Sequence, residues 1–526
     1  MSFAPPRLSV VLVARCDSDL LKASCDSVAA VADELVVVDT GGESPAVALA
    51  QAAGALIVDH PWDEDFSAAK NAGLAACSGD WIFCLEPGEL LTPDDAERLR
   101  EWKEAAEVGD KAYVVLVRNA LVAGLLAAEQ AAEVRLIPRQ AEVRFAHRSR
   151  PALHAALEAA GLEVQPLPIV LFRDEVETPD RRKNRAQQIL NLADLELKSQ
   201  GPEPRLFNIL GDAFQTLGDL ETASRFFHRS ISEAPTCSAE RLEAFYGVLS
   251  LLDQTAQPRS ELIGLCTQAL EAFPLDMQLL CALGGYLQAE GHLEHAGRAY
   301  RLAFEHGQIN PYLGHLESLH EIAAHCLAVV LQFSSQDLEA QRFLEKVLLE
   351  VPDSLRLRRQ LLELHLKHGR LEAALEQVKC PDVVWPSETA LKSTVRGACL
   401  ARQKDWAGAA THLEAAYNSG YRDPLCLRFL VRALVENGRN AAAHAVLLEW
   451  KHLGSMPAAA ADLLQRLQDG TLGPRTTKRV EASPTASGLN PAGERMVRID
   501  NGQTHEPTRS PGQTVKRPAS DEPRKR

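Results

Sequence analysis

Leu8-Ser9-Val10-Val11-Leu12-Val13, Leu35-Val36-Val37-Val38-Asp39-Thr40-Gly41-Gly42 and Trp81-Ile82-Phe83-Cys84-Leu85-Glu86-Pro87-Gly88-Glu89 are the runs that decide the fold. Their apolar parts are continuous rather than alternating. Such runs predict strands buried on both faces, as in a parallel sheet covered by helices. Residues 55–58, 113–117 and 134–137 are further candidate strands, and residues 17–32 and 43–53 have helical spacing between strands. The strand–helix–strand rhythm predicts a doubly wound α/β, Rossmann-like domain with a mostly parallel sheet over residues 1–175.

Beyond it the strand signals stop. Thr178-Pro179-Asp180 reads as a helix start, with Thr178 as cap and Pro179 in the first turn. A 34-residue period follows. Leu210, Gly211, Phe214, Gly218, Ala223, Phe227 and Pro235 form one set, and Leu283, Gly284, Gly291, Ala296, Tyr300 and Ala303 repeat it. Small residues let the two helices of a hairpin approach closely, large ones fill the space between hairpins, and proline ends the second helix. The pattern resembles the tetratricopeptide repeat. It implies an all-α solenoid over residues 176–470, of seven or eight helix pairs, with insertions near 254–260 and 308–316. From 471 to 526 Pro, Ser, Thr, Gly, Arg and Lys dominate and apolar periodicity is lost, so a disordered basic tail is expected.

At 526 residues the chain is too long for one core. Eleven cysteines with no CxxC pair argue for buried thiols rather than a disulfide framework or a zinc site. No apolar run approaches the roughly 20 residues that span a bilayer. The first residues lack the layout of a signal peptide, so a cytoplasmic protein is expected. The net charge of −15 disfavours nonspecific binding to nucleic acid or anionic lipid.

The first 90 residues resemble the family 2 glycosyltransferases. The match rests on Asp39-Thr40-Gly41 at a strand end, on Phe66-Ser67-Ala68-Ala69-Lys70-Asn71, and on the acids after residues 81–85. The resemblance implies a GT-A fold that binds a nucleotide-diphosphate sugar at the carboxyl ends of its strands. It gives Asp39 the base or ribose, with Thr40 and Gly41 letting the backbone come close, and a turn-capping Asp39 is the alternative. Lys70, beside Asn71, would face the nucleotide or its diphosphate, although the family usually has Arg there, and a solvated Lys on an ordinary amphipathic helix is the alternative. Arg15 and Asp17 stand where it usually has Lys and Glu, and they complete the expected nucleotide-binding set.

The family's Asp-X-Asp holds a divalent cation, magnesium or manganese, that stabilises the departing diphosphate. Here Glu86 and Glu89 are the remaining ligands, and Gly88 offers none. Arg150-Pro151 replaces an expected His-Glu pair, and another expected His is replaced within Leu171-Phe172-Arg173. Lys70, Arg148 or Arg150 are candidates to neutralise the diphosphate in place of a metal. No catalytic residue is selected.

Two functions follow. One is sugar transfer from a nucleotide donor to a protein or peptide held on the concave face of the repeats. The other is a catalytically inactive transferase fold carrying a repeat scaffold for protein–protein interaction.

Overall fold

The structure is a computed structural model. It describes residues 5–14, 18–41, 45–106, 109–119, 129–173, 178–310, 313–316, 318–381, 385, 387–454 and 456–469. The tail expected over 471–526 lies outside these residues, as do Arg15 and Asp17.

The first part runs β1 (Leu8–Ala14), α1 (Ser18–Val28), β2 (Glu34–Asp39), α2 (Pro45–Ala52), β3 (Leu56–Asp59), α3 (Phe66–Ala76), β4 (Trp81–Cys84), β5 (Glu89–Leu91), α4 (Pro93–Ala105), β6 (Lys111–Asn119), β7 (Glu129–Pro138), α5 (His154–Ala159) and β8 (Glu163–Arg173). The sheet order is β3-β2-β1-β4-β7-β6-β8-β5. The first four strands in this order are mutually parallel, so their carboxyl ends share one side. β7 then runs antiparallel to β4 and β6, β8 parallel to β6, and β5 antiparallel to β8.

All six strands read from the sequence are present. Both faces of β1 and β4 are buried, because alternate residues of one strand enter two different cores, while the edge strand β3 is partly exposed. Val10 and Leu12 of β1 join Trp81, Phe83 and Leu99 on one side. Val11 joins Val36, Val38, Ile82 and Leu74 on the other.

The helical part comprises α6 (Pro179–Gln200), α7 (Pro204–Leu217), α8 (Leu220–Glu233), α9 (Ala239–Gln254), α10 (Arg259–Ala272), α11 (Met277–Ala289), α12 (Leu293–His306), α13 (Leu319–Phe333), α14 (Asp337–Glu350), α15 (Leu355–Lys367), α16 (Leu371–Val378), α17 (Glu388–Arg402), α18 (Trp406–Asn418), α19 (Pro424–Glu436), α20 (Asn440–His452) and α21 (Ala458–Gln468). Seven packed pairs, α7–α8 to α19–α20, stand between α6 and α21. Thr178 caps α6 through Arg181 N, with Pro179 in its first turn.

The 34-residue pattern has a direct packing cause. A Cβ on Gly211 would lie 2.6 Å from the Phe227 ring, and one on Gly284 would lie 2.7 Å from the Tyr300 ring. The glycine of one helix thus seats the aromatic ring of the next. First helices of successive pairs also touch (α7 with α9, and α11 with α13, α13 with α15, α15 with α17 and α17 with α19), so those from α11 to α19 line one wall.

The insertion at 308–316 does more than bridge two helices. It contains β9 (His315–Leu316), which pairs antiparallel with Glu129 and Gln130 of β7. The helical part therefore contributes a strand to the sheet. Among the described residues no helix is long and apolar enough to cross a membrane.

Candidate functional site

Asp39 ends β2 in register with Ala14 of β1 and Asp59 of β3. It is half-buried, and its Oδ1 accepts a 2.9 Å hydrogen bond from Gly41 N. Gly41 has φ +87°, so the turn after the strand needs the glycine. Thr40 points inward. It is buried, and its hydroxyl donates to Ala14 O at 2.8 Å, which ties β2 to β1. Asp39 and Gly41 reach the surface; Thr40 is a strut.

α3 starts at an Asp65 cap and carries Lys70 and Asn71. Asn71 donates to Phe145 O at 2.9 Å and accepts from Phe145 N at 2.8 Å, so its amide clamps a backbone segment. Lys70 turns toward the end of β4. Its Nζ lies 3.0 Å from Glu86 Oε1 and 5.1 Å from the centre of the Phe145 ring.

The two glutamates after β4 do converge, with cations gathered around them. Arg173 Nη2 is 3.0 Å from Glu86 Oε2 and 2.6 Å from Glu89 Oε1. Arg135 Nη2 is 2.7 Å from Glu89 Oε1, and Arg135 Nη1 is 3.7 Å from Glu86 Oε1. Arg135 also meets Glu133 at 2.8 Å. Glu86 N donates to Glu89 Oε2 at 2.8 Å, and Glu89 N donates to Glu86 O at 2.9 Å. Lys70, Arg135 and Arg173 thus balance Glu86, Glu89 and Glu133.

The electrostatics follow from this packing. Lys70, against the opposing effect of burial and with help from Arg135 and Arg173, holds Glu86 well below the usual carboxylate range. Burial pushes the Glu89 carboxyl up, with Arg135 pulling against it. Glu89 is fully buried, while Glu86 keeps a third of its side chain exposed.

These residues do not fit a divalent cation. Oxygen-rich sites need several free carboxylate or carbonyl oxygens around the ion, and here three basic side chains hold the two acids. Gly88, where the family has a second aspartate, adopts φ +92°, and a Cβ there would sit 3.6 Å from Leu20. A side chain at that point is disfavoured by the backbone itself. Among the described residues no group of three or more His, Cys, Asp and Glu could hold a metal.

The segment after β7 touches α3 through Phe145 and then turns to the helices of the repeats. Arg150 reaches Glu243 of α9 at 2.7 Å and Asp212 of α7 at 2.9 Å. It is therefore taken up by the repeats, which corrects its candidacy as a diphosphate partner. His147 Nδ1 lies 3.0 Å from Glu196 Oε1 of α6, and Ser149 Oγ donates to Glu196 Oε2 at 2.8 Å. Arg205 of α7 also pairs with Glu196. His147 adopts φ +76°, an uncommon conformation for a side-chain-bearing residue, and Ser67 Oγ of α3 donates to its carbonyl at 2.6 Å. Arg148 stands 3.8 Å from Asp65.

Sequence reading did not assign the roles of Arg135, Arg173 and Glu196. Arg135 and Arg173 sit on strands β7 and β8, far apart in the chain, and no spacing rule joins them. The one available signal was Arg135 inside an apolar strand run; Arg173 ends β8 and gave none.

Residues 9–120 match the glycosyl transferase family 2 model. A TPR repeat-containing protein of Synechococcus elongatus is 28% identical over 262 residues, covering 48% of this chain and 62% of its own length. A glycosyl transferase family 2 domain therefore stands at the front of this chain, and tetratricopeptide-like repeats follow it. The chain spans less than two thirds of that curated relative.

Among solved structures, a tetratricopeptide repeat protein from Parabacteroides merdae covers 50% of this chain and 98% of its own, with 14% identity and a TM-score of 0.39. The glucosyl-3-phosphoglycerate synthase of Mycobacterium tuberculosis, solved with Mn2+, uridine-diphosphate and glucosyl-3-phosphoglycerate, covers 38% of this chain and 81% of its own. Its identity is 18% and its TM-score 0.27.

Proposed function

We propose that this chain is a protein-binding scaffold whose glycosyltransferase-fold domain does not carry out metal-assisted sugar transfer. One observation carries the reading. Glu86 and Glu89, the acids available to a metal, are already neutralised by Lys70, Arg135 and Arg173. A divalent cation would have to displace several charge-assisted hydrogen bonds, each stronger than a neutral one. The repeats then supply the function through a protein or peptide partner. Working boundaries are 1–175, 176–470 and 471–526. A cytoplasmic location is supported by the buried thiols of Cys25, Cys77, Cys84, Cys266, Cys281, Cys326, Cys399 and Cys426.

The test is calorimetric titration of the whole chain with uridine diphosphate, with and without manganese, followed by an assay for donor-sugar hydrolysis. Manganese is expected to leave the binding heat unchanged, with no turnover. Metal-dependent binding that Glu86→Ala abolishes would overturn the proposal.

A second reading, transfer from a nucleotide-diphosphate sugar to a peptide on the repeats, is favoured by Asp39. It stands half-buried beside the exposed Gly41 at the carboxyl end of β2, within reach of a hydroxyl or base donor. In either reading Asp39→Ala weakens nucleotide binding. Unchanged affinity would remove the nucleotide from both.

A further inference from the structure

The charges borne by the first helices of the repeats are compensated differently at the two ends of the array. At the first end the charges are matched, because Arg150 meets Asp212 of α7 and Glu243 of α9. Toward the other end, Arg359 of α15 is held by Asp423 through two bonds of 2.7 and 2.8 Å.

Next to that pair stand three exposed arginines with little compensation. Arg428 and Arg432 lie four residues apart, on one face of α19, and Arg402 ends the neighbouring α17. The nearest carboxylate to Arg428 is Glu363 at 3.8 Å, which Arg359 already engages at 3.3 Å. No ion pair involves Arg402 or Arg432 among the described residues. Burial together with repulsion from Arg432 and Arg428 lowers the Arg402 pKa, so the three charges are close enough to feel one another.

Helix-dipole stabilisation accounts for Arg402 in a last turn, but not for the other two. Nor are these side chains loose. The Arg432 guanidinium lies 5.4 Å from the Trp406 ring and that of Arg428 5.2 Å from the Phe429 ring, so each rests on an aromatic face. Like charges gathered on one wall repel one another, a local cost that a bound carboxylate would offset.

We propose that the wall of α15, α17 and α19 binds an acidic peptide segment of a partner protein, with Arg402, Arg428 and Arg432 receiving its carboxylates. Planar guanidiniums held on aromatic rings suit carboxylates, which they meet through paired hydrogen bonds. The proposal rests on the scaffold reading of the repeats and is independent of the chemistry at Glu86.

The test is fluorescence anisotropy of the full chain with a labelled hexaglutamate peptide, and with hexaglutamine as control. Hexaglutamate is expected to bind and to weaken as salt rises, while hexaglutamine does not bind. Arg428→Gln and Arg432→Gln each lower the affinity about five-fold, and adding Arg402→Gln to both abolishes binding. These residues are exposed, so circular dichroism should show the fold intact. Arg298→Gln on α12, away from this wall, leaves the affinity unchanged.

Equal binding of the two peptides, or full affinity in the triple variant, overturns the proposal. So does an oligouridylate of equal charge that outcompetes hexaglutamate, because the partner would then be RNA. None of these outcomes bears on the manganese titration, so the two readings fail separately.

Discussion

Removing the Glu89 side chain would leave Arg135 buried with a much weaker set of partners. Arg135 is almost fully buried, its Nε already lacks an acceptor, and Glu89 supplies its shortest ion pair. Breaking a buried pair from one side costs about 3–5 kcal/mol, because the stranded charge remains. Glu89→Ala is therefore expected to destabilise the first domain by about that amount in urea unfolding. Glu86→Ala, a third exposed, should cost about 1 kcal/mol. Equal losses would mean that the two acids are not in the unequal environments described.

Glu196 makes a pH prediction. Burial opposes its charge, but hydrogen bonds from His147 and Ser149 and the charge of Arg205 bring it from 4.5 down to about 2. A carboxyl depressed in the folded state contributes stability that is present above its unfolded pKa and lost as pH falls through its folded pKa. The contribution, on the order of 3 kcal/mol, should be full above pH 4.5 and gone near pH 2. Comparing wild type with Glu196→Gln by chemical denaturation across that window checks it. A stability gap that does not narrow would contradict the assignment.

Among elements, the helix pairs give the sharpest packing test. Gly211→Ala pushes a methyl group into the Phe227 ring, where 2.6 Å separates the positions. Overpacking of this kind costs about 1–3 kcal/mol, measurable as a lower thermal midpoint.

The same elements explain what the sequence could and could not reveal. Strands rich in Val, Ile and Leu announced themselves, as did the Gly-to-aromatic spacing of the repeats. β8 did not, because Pro166 and Pro168 interrupt it, and proline is a poor ladder partner. The structure accommodates them through a register shift between Val114 and Leu116 of β6. β5 and β9 are three and two residues long, too short for any periodicity to register. The carboxyl-end position of Asp39 was legible from its strand. The cations around Glu86 were not, since Lys70, Arg135 and Arg173 come from three separate elements and meet only in the folded chain.

Across the whole molecule, the sheet and the first repeats are joined at several points: Glu196 with its three partners, Arg150 with α7 and α9, and β9 on β7. Later pairs rest chiefly on their neighbours, and in such arrays stability is a sum of local and nearest-neighbour contributions. Hydrogen exchange should therefore show protection that is high from α6 to α13 and declines toward α19–α21. Uniform protection along the array would refute that gradient.

The pairing of β9 with β7 has a practical consequence. β7 extends past β4, whose partners in it are only Leu136, Ile137 and Pro138, and β9 covers part of the overhang. A clone stopped just before Pro179 would bare that flank and leave Arg150 without either carboxylate. Bare strand flanks recruit other chains, so the separated front piece should clump during purification, and the intact polypeptide is the smaller risk for crystallisation.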